Sequence, residues 1–225
     1  MFVVGLTVVL VGSPTGVRDD LGAPLRVACG LAHVRQGRED ALDVLAGLLH
    51  DPYAMVRAGA ARGLGAAGRR DASALLRYKL VAGDPQPEVI EEVVAGLMAL
   101  QRERAIPLCI DLLHGDDPTR AEVIALALGS QRATEALDAL VAWSSQLRAQ
   151  DRARIGFLPI ALLRDDAANA WLIERITGKF APDARGAARA LMTFQADPAV
   201  AAQLAEAARA QPDRALRAEL LALLS

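Results

Sequence analysis

The sequence predicts an all-α chain, a solenoid in which short helix pairs stack along one axis. Three observations predict it. The dipeptide Asp-Pro recurs at Asp51-Pro52, Asp84-Pro85 and Asp117-Pro118, 33 residues apart each time, and a fixed period of this length marks a repeated helix pair. A leucine stands near the end of every second helical stretch, at Leu64, Leu97, Leu128, Leu162, Leu191 and Leu223, with gaps of 33, 31, 34, 29 and 32. Composition adds the third: 53% of residues are hydrophobic but only 4% aromatic, so the core consists of Ala, Leu and Val, which let helices approach closely.

The clearest unit runs from Arg38 to Gly68. Ala41, Leu42, Leu45, Leu48 and Leu49 recur near 3.6 residues and make one buried stripe on a first helix. Asp51 can accept the free amide hydrogens of the following helix, and Pro52 fits its opening turn because no intrahelical donor is lost there. A second helix then presents Met55, Val56, Ala60, Leu64 and Ala67 inward and stops at Gly68, a residue suited to a left-handed turn. The same plan fits Arg69 to Gln101, Arg102 to Arg132, Ala133 to Asp166, Ala167 to Asp197 and Pro198 to Ser225. Leu25 to Gly37 resembles the second helix of an earlier pair, giving about six and a half pairs. Breakers fall at the expected turns and no long linker intervenes, so residues 1–225 are expected to form a single repeat domain, with 1–37 an atypical N-terminal cap or partial repeat. The apolar run Phe2 to Val11 lacks the flanks of a signal peptide and is too short to span a membrane. It is expected to be a first buried helix, or a strand given its valines.

The stretch Leu48-Leu49-His50-Asp51-Pro52, followed by Val56-Arg57, Ala60-Ala61 and Leu64-Gly65, resembles the bacterial HEAT-like repeats of the phycobilisome-lyase type. That resemblance implies a right-handed α-solenoid of HEAT-like helix pairs. It also implies a structural ladder between repeats, formed by the turn aspartate and an arginine six residues later, which here are Asp51 and Arg57. Ile90 and Val123 stand where later repeats would carry that arginine, so the ladder is expected to be incomplete. Two activities follow from relatives of this kind: a chromophore lyase or cofactor chaperone, and a DNA glycosylase of the HEAT-like class. The second would ask for a cationic groove with aromatic residues, for which Trp143, Trp171 and Asp138 are the raw materials.

Chemistry-bearing residues are sparse. His33, His50 and His114 sit in different repeats, without the spacing of a zinc-binding pair. His50 and His114 end first helices, where they meet free carbonyls, and His33 takes the slot that holds Leu64 in the next unit, as a packing residue. Cys29 and Cys109 are isolated, which argues against a disulfide framework or a zinc site. The acid pairs Glu91-Glu92, Asp116-Asp117 and Asp165-Asp166 point about 100° apart on a helix and cannot easily share an ion; capping and solvation explain them. With 25 basic and 27 acidic residues and a net charge of −2, nothing draws the whole chain to nucleic acid or an anionic membrane. No catalytic group, metal or cofactor is therefore expected, and the chain is expected not to be an enzyme.

What remains is surface. Counting back two and six residues from the marker leucines gives positions facing away from the core, on the second helices that usually line the concave side. That stripe reads Arg62, Glu91, Glu122 with Leu126, Ile160, Arg185 with Arg189, and Arg217. The expectation is a bacterial, cytoplasmic, noncatalytic scaffold that binds a protein or peptide along this stripe, with no specific nucleic acid and no membrane as partners. The apolar ends, including Leu220-Leu221-Ala222-Leu223-Leu224, would allow self-association.

Overall fold

The structure is a computed structural model that describes residues 22–224; the segment Phe2 to Val11 and its expected helix or strand lie outside them. The Asp-Pro period appears as helix pairs, and no strand occurs among the described residues. In chain order the helices are α1 (Ala23–Arg35), α2 (Ala41–Leu48), α3 (Ala54–Ala66), α4 (Arg70–Ala82), α5 (Pro87–Leu113), α6 (Pro118–Ser130), α7 (Leu137–Gln146), α8 (Leu158–Leu162), α9 (Asp166–Thr177), α10 (Ala181–Met192), α11 (Pro198–Ala210) and α12 (Arg214–Leu223). The chain is an all-α solenoid. Its contacts divide it into two compact units, one ending at Leu112 and one beginning at Leu113.

Breaks fall where the residues demand them. Helix α5 is interrupted at Gln101, whose φ of −153° and ψ of 60° are not helical, at the boundary expected between two repeats. Gly68 ends the turn after α3 with a φ of +66°, a left-handed value that costs glycine nothing. The aspartates at the turns act as caps: Asp117 accepts the amide hydrogens of Thr119 and Arg120 at 3.1 Å each, and Asp165 those of Ala167 and Ala168 at 3.0 and 3.4 Å. The acid pairs at 116–117 and 165–166 thus satisfy helix ends.

In the first unit α3 packs on both α1 and α2, with α4 against α3. The paired second helices approach closely because the contact is glycine: a Cβ on Gly65 of α3 would stand 2.6 Å from the Cα of Gly96 on α5. The second unit packs α6 on α8, α9 on α10, and α11 on both α9 and α12. Of the marker leucines, Leu64, Leu97, Leu128 and Leu191 are buried to 1% exposure or less. Two positions depart. Leu162 is only half-buried while its neighbour Leu163 is 1% exposed, because a π turn at Arg152–Gly156 widens the helix and slips the register. Leu223 is 39% exposed at the end of α12.

A stability series separates these positions. Leu64→Ala should destabilise by about 2–5 kcal/mol, the range for a large-to-small change at a closed core site, whereas Leu223→Ala should cost less than about 1 kcal/mol. Urea denaturation monitored by helical circular dichroism reads both; similar costs would show that Leu223 is covered in solution.

Candidate functional site

Three turn aspartates, Asp51, Asp84 and Asp183, are each held by an arginine from the preceding repeat. In the first unit Arg26 reaches Asp51 through Nε (2.9 Å) and Nη2 (3.3 Å), and Arg57 clamps Asp84 through Nε (2.7 Å) and Nη2 (2.8 Å). The third nitrogen of Arg57 donates to the backbone oxygens of Asp51 (2.8 Å) and Pro52 (3.0 Å). One guanidinium therefore closes its own turn and holds the carboxylate of the next, as its planar fork of donors allows. Lys79 adds a second cation 2.7 Å from Asp84, whose side chain is 1% exposed. Burial pushes the Asp84 carboxyl up, but hydrogen bonds from Arg57, Lys79 and the Gln86 amide outweigh it and hold its pKa at about 2.

The resemblance had implied a ladder of Asp51 and Arg57, fading after the first repeats. The structure carries it further. In the second unit Arg152 pairs with Asp183 at 2.9 Å and donates to the Leu147 carbonyl at 3.2 Å, the same two-way geometry. At the last turn Gln211, fully buried, replaces the aspartate: its Nε2 donates to the carbonyls of Ile176 (2.5 Å) and Gly178 (3.1 Å). Arg217 then donates to the Gln211 carbonyl at 2.9 Å, so it serves the ladder. An aromatic residue opening the next second helix covers two of these arginines, Tyr53 at 5.4 Å from Arg26 and Phe180 at 5.9 Å from Arg152.

The expected stripe is divided between the units. Arg62 is exposed and forms a bidentate ion pair with Glu92, and both line a cavity of about 470 Å3 with Glu91, Val27 and Met55. Burial, with Glu88 and Glu92 nearby, raises the Glu91 pKa. Glu122 and Leu126 are half-buried on α6. Ile160 does not belong to an accessible face: it is 0% exposed, because the core slot of this repeat is held by Leu163 and not by Leu162, which puts the count one residue off. Arg185 is paired with Glu219 at 2.7 and 2.8 Å.

Arg189, one turn along α10 and exposed, lines a different feature. A cavity of about 300 Å3 has Phe157, Leu158, Gly186 and Ala190 as its apolar wall and Arg154 and Arg189 as its cations. Arg154 is held only loosely, 3.9 Å from Asp151. The floor is shaped by Gly186, where a Cβ would stand 2.6 Å from Phe157 Cδ2 and 2.8 Å from the Ala153 carbonyl oxygen. Arg154, Phe157 and Leu158 escaped the sequence reading because the π turn breaks the spacing from Leu162; the longer gap of 34 before that leucine was the available signal.

The aromatic residues weighed for a glycosylase do not converge. Trp143 is 5% exposed in the core, Asp138 is exposed on α7, and Trp171 packs on Phe157 (5.9 Å between centroids) and under Arg175 (4.8 Å). His33 is buried, its Nδ1 3.8 Å from Asp40. Among the described residues no group of three His, Cys, Asp or Glu could hold a metal ion, and no helix is long and apolar enough to cross a membrane.

No protein-family model matches the sequence, and no curated protein matches it. Among solved structures the chain is similar to the complex of CpcE and CpcF of phycocyanin lyase from Nostoc sp., with 20% sequence identity and a TM-score of 0.44, over 97% of this chain and 93% of that one. The likeness speaks to the helical architecture alone. One step of the sequence reading needs correction. A noncatalytic protein- or peptide-binding scaffold, and a chain that is not an enzyme, were inferred from HEAT-like helices without a catalytic cluster. That inference does not stand: it was drawn from an absence, which excludes no activity, and the solved complex is that of a lyase.

The rung at Asp84 makes stability depend on acid. Its folded pKa of about 2 lies below the ordinary 3.8, so the contribution is full above about pH 4 and lost as pH falls toward about 2, at most roughly 2 kcal/mol. Asp84→Asn should abolish this part of the acid dependence and destabilise by about 3 kcal/mol at neutral pH, since two buried cations lose their partner. Urea titrations from about pH 2 to about pH 6 read both effects, and an unchanged acid slope would contradict the assignment.

Proposed function

We propose that this chain holds a flat, carboxylate-bearing chromophore of the open-chain tetrapyrrole class and hands it on, as a chromophore lyase component or chaperone. One observation carries the reading: Arg154 and Arg189 line one cavity whose wall is Phe157, Leu158 and Ala190. An apolar, partly aromatic wall beside two guanidiniums suits a conjugated ring system with acidic side arms, because apolar surface supplies affinity and a few placed charges fix orientation. The resemblance of the repeats to the phycobilisome-lyase type supports the choice of tetrapyrrole.

The donor set fits such a group. Its carboxylates would meet Arg154 from the π turn and Arg189 from α10, and its ring face would lie along Leu158, with the buried Phe157 backing the wall from the core. The bound group supplies the reactive conjugated system. The protein's part is to orient it by its acid arms, keep one face from water and leave the other open.

This chain does not offer the thiol that would keep such a chromophore. Cys29 and Cys109 are both buried, and burial pushes the Cys109 thiol up to about 12, so no reactive thiolate forms there at neutral pH. A protein with an accessible acceptor group is the recipient this arrangement implies, which makes the chain a carrier with a protein partner.

Titration with biliverdin, followed by its visible absorbance, tests the reading. Saturable binding is expected, weakened about tenfold by Arg154→Ala and about tenfold by Arg189→Ala, each losing roughly one charged hydrogen-bonding contact. Arg209→Ala on α11 should bind as the parent does. Binding that does not saturate, or that ignores both substitutions, would overturn it.

A further inference from the structure

A cavity of about 300 Å3 is small for an extended tetrapyrrole, and the structure supplies a continuation. Thr193, exposed at the end of α10, lines that cavity and also lines a second cleft of about 670 Å3, where Arg164, Asn169, Phe194 and Gln203 stand. The two spaces therefore adjoin. Within the second cleft the Arg164 guanidinium lies over the Phe194 ring at 4.5 Å from its centroid. Arg164 does this from a left-handed backbone, with a φ of +51°, a conformation that costs any residue with a Cβ free energy and is held only where the surroundings impose it. Helix α9 begins two residues later with Asp165 as its cap, so the chain must reverse at Arg164, and a residue with no side chain would reverse it more easily.

We propose that the Arg164–Phe194 stack is a second subsite, which takes the far end of the same elongated ligand whose near end meets Arg154 and Arg189. The proposal rests on the reading of the first cavity given above. The stacked guanidinium presents a flat, cationic plate on which a conjugated ring can lie, and its edge donors remain for a terminal ring carbonyl. Asn169 and Gln203 add amide donors and acceptors along the cleft, matched to the ring nitrogens and terminal carbonyl groups of a pyrrole chain. A ligand spanning both spaces would be selected by length: one of half the size gains nothing from the second cleft.

The experiment compares two probes, biliverdin and the half-length dipyrrinone xanthobilirubic acid, against three proteins: the parent chain, Arg164→Gly and Phe194→Ala. Glycine at 164 accepts the left-handed backbone without strain, so Arg164→Gly should fold at least as stably as the parent, which thermal denaturation checks. Each variant is expected to bind biliverdin about five- to tenfold more weakly, while its affinity for the dipyrrinone stays within about twofold of the parent value. Biliverdin affinity unchanged in both variants, with Arg154→Ala and Arg189→Ala still weakening it, would overturn the second subsite and leave the first cavity standing. Failure of both probes to bind the parent chain would overturn the first-cavity reading, and the second subsite with it.

Discussion

The arginine that reaches forward from one turn to the aspartate of the next is the contact on which the remaining architecture depends. Arg57 is the clearest case, closing its own turn through the carbonyls of Asp51 and Pro52 and clamping Asp84 with its other edge. A buried ion pair of this kind is not a large source of net stability, because the cost of removing both charges from water nearly cancels their attraction. What it fixes is geometry. Apolar helices of Ala and Leu can slide over one another with small changes in buried area, whereas a bidentate guanidinium–carboxylate contact tolerates little displacement. Breaking one partner is expensive, so the register is enforced by the penalty for leaving it.

In the second unit the same contact governs the cavity. Arg152 lies at the start of the π turn and Asp183 in the first turn of α10. The rung thus joins the element that carries Arg154 to the helix that carries Arg189. Gly186 lets Phe157 lie against α10, and the widened π turn lets Arg154 project beside it. Small residues permit the approach, the ion pair sets its register, and the cations come to one side of an apolar wall that Phe157 backs from the core. The proposed site asks for no cluster of nucleophile, acid and base among the described residues, only for two cations held beside an apolar wall.

The fold was largely legible because its signals are local and repeated. Asp-Pro at a constant spacing marks the helix starts, and the breaks at Gly68 and Gln101 fall where turn chemistry and repeat counting place them. The ladder was legible only in part. Asp51 and Arg57 stand in the consensus spacing, but the bonds that matter join Arg26 to Asp51 and Arg57 to Asp84, across 25 and 27 residues, and Arg152 lies in a repeat whose register is slipped. The site was not legible for the same reason. Leu162 is one residue off the core slot that Leu163 fills, which put Ile160 on the expected face, and counting further back assumes 3.6 residues per turn, which the π turn at 152–156 violates, so Arg154 stayed hidden. The noncatalytic expectation failed on a different ground: it was inferred from an absence, and absence of a familiar catalytic group is weak evidence.

The most direct test is a crystal structure of the chain with biliverdin bound. The account predicts the chromophore's carboxylates on Arg154 and Arg189, a pyrrole ring against Leu158, and the Arg152–Asp183 rung intact beneath them. A chromophore seated elsewhere on the chain, or held at this cavity with the rung open and its arms away from both arginines, would contradict it.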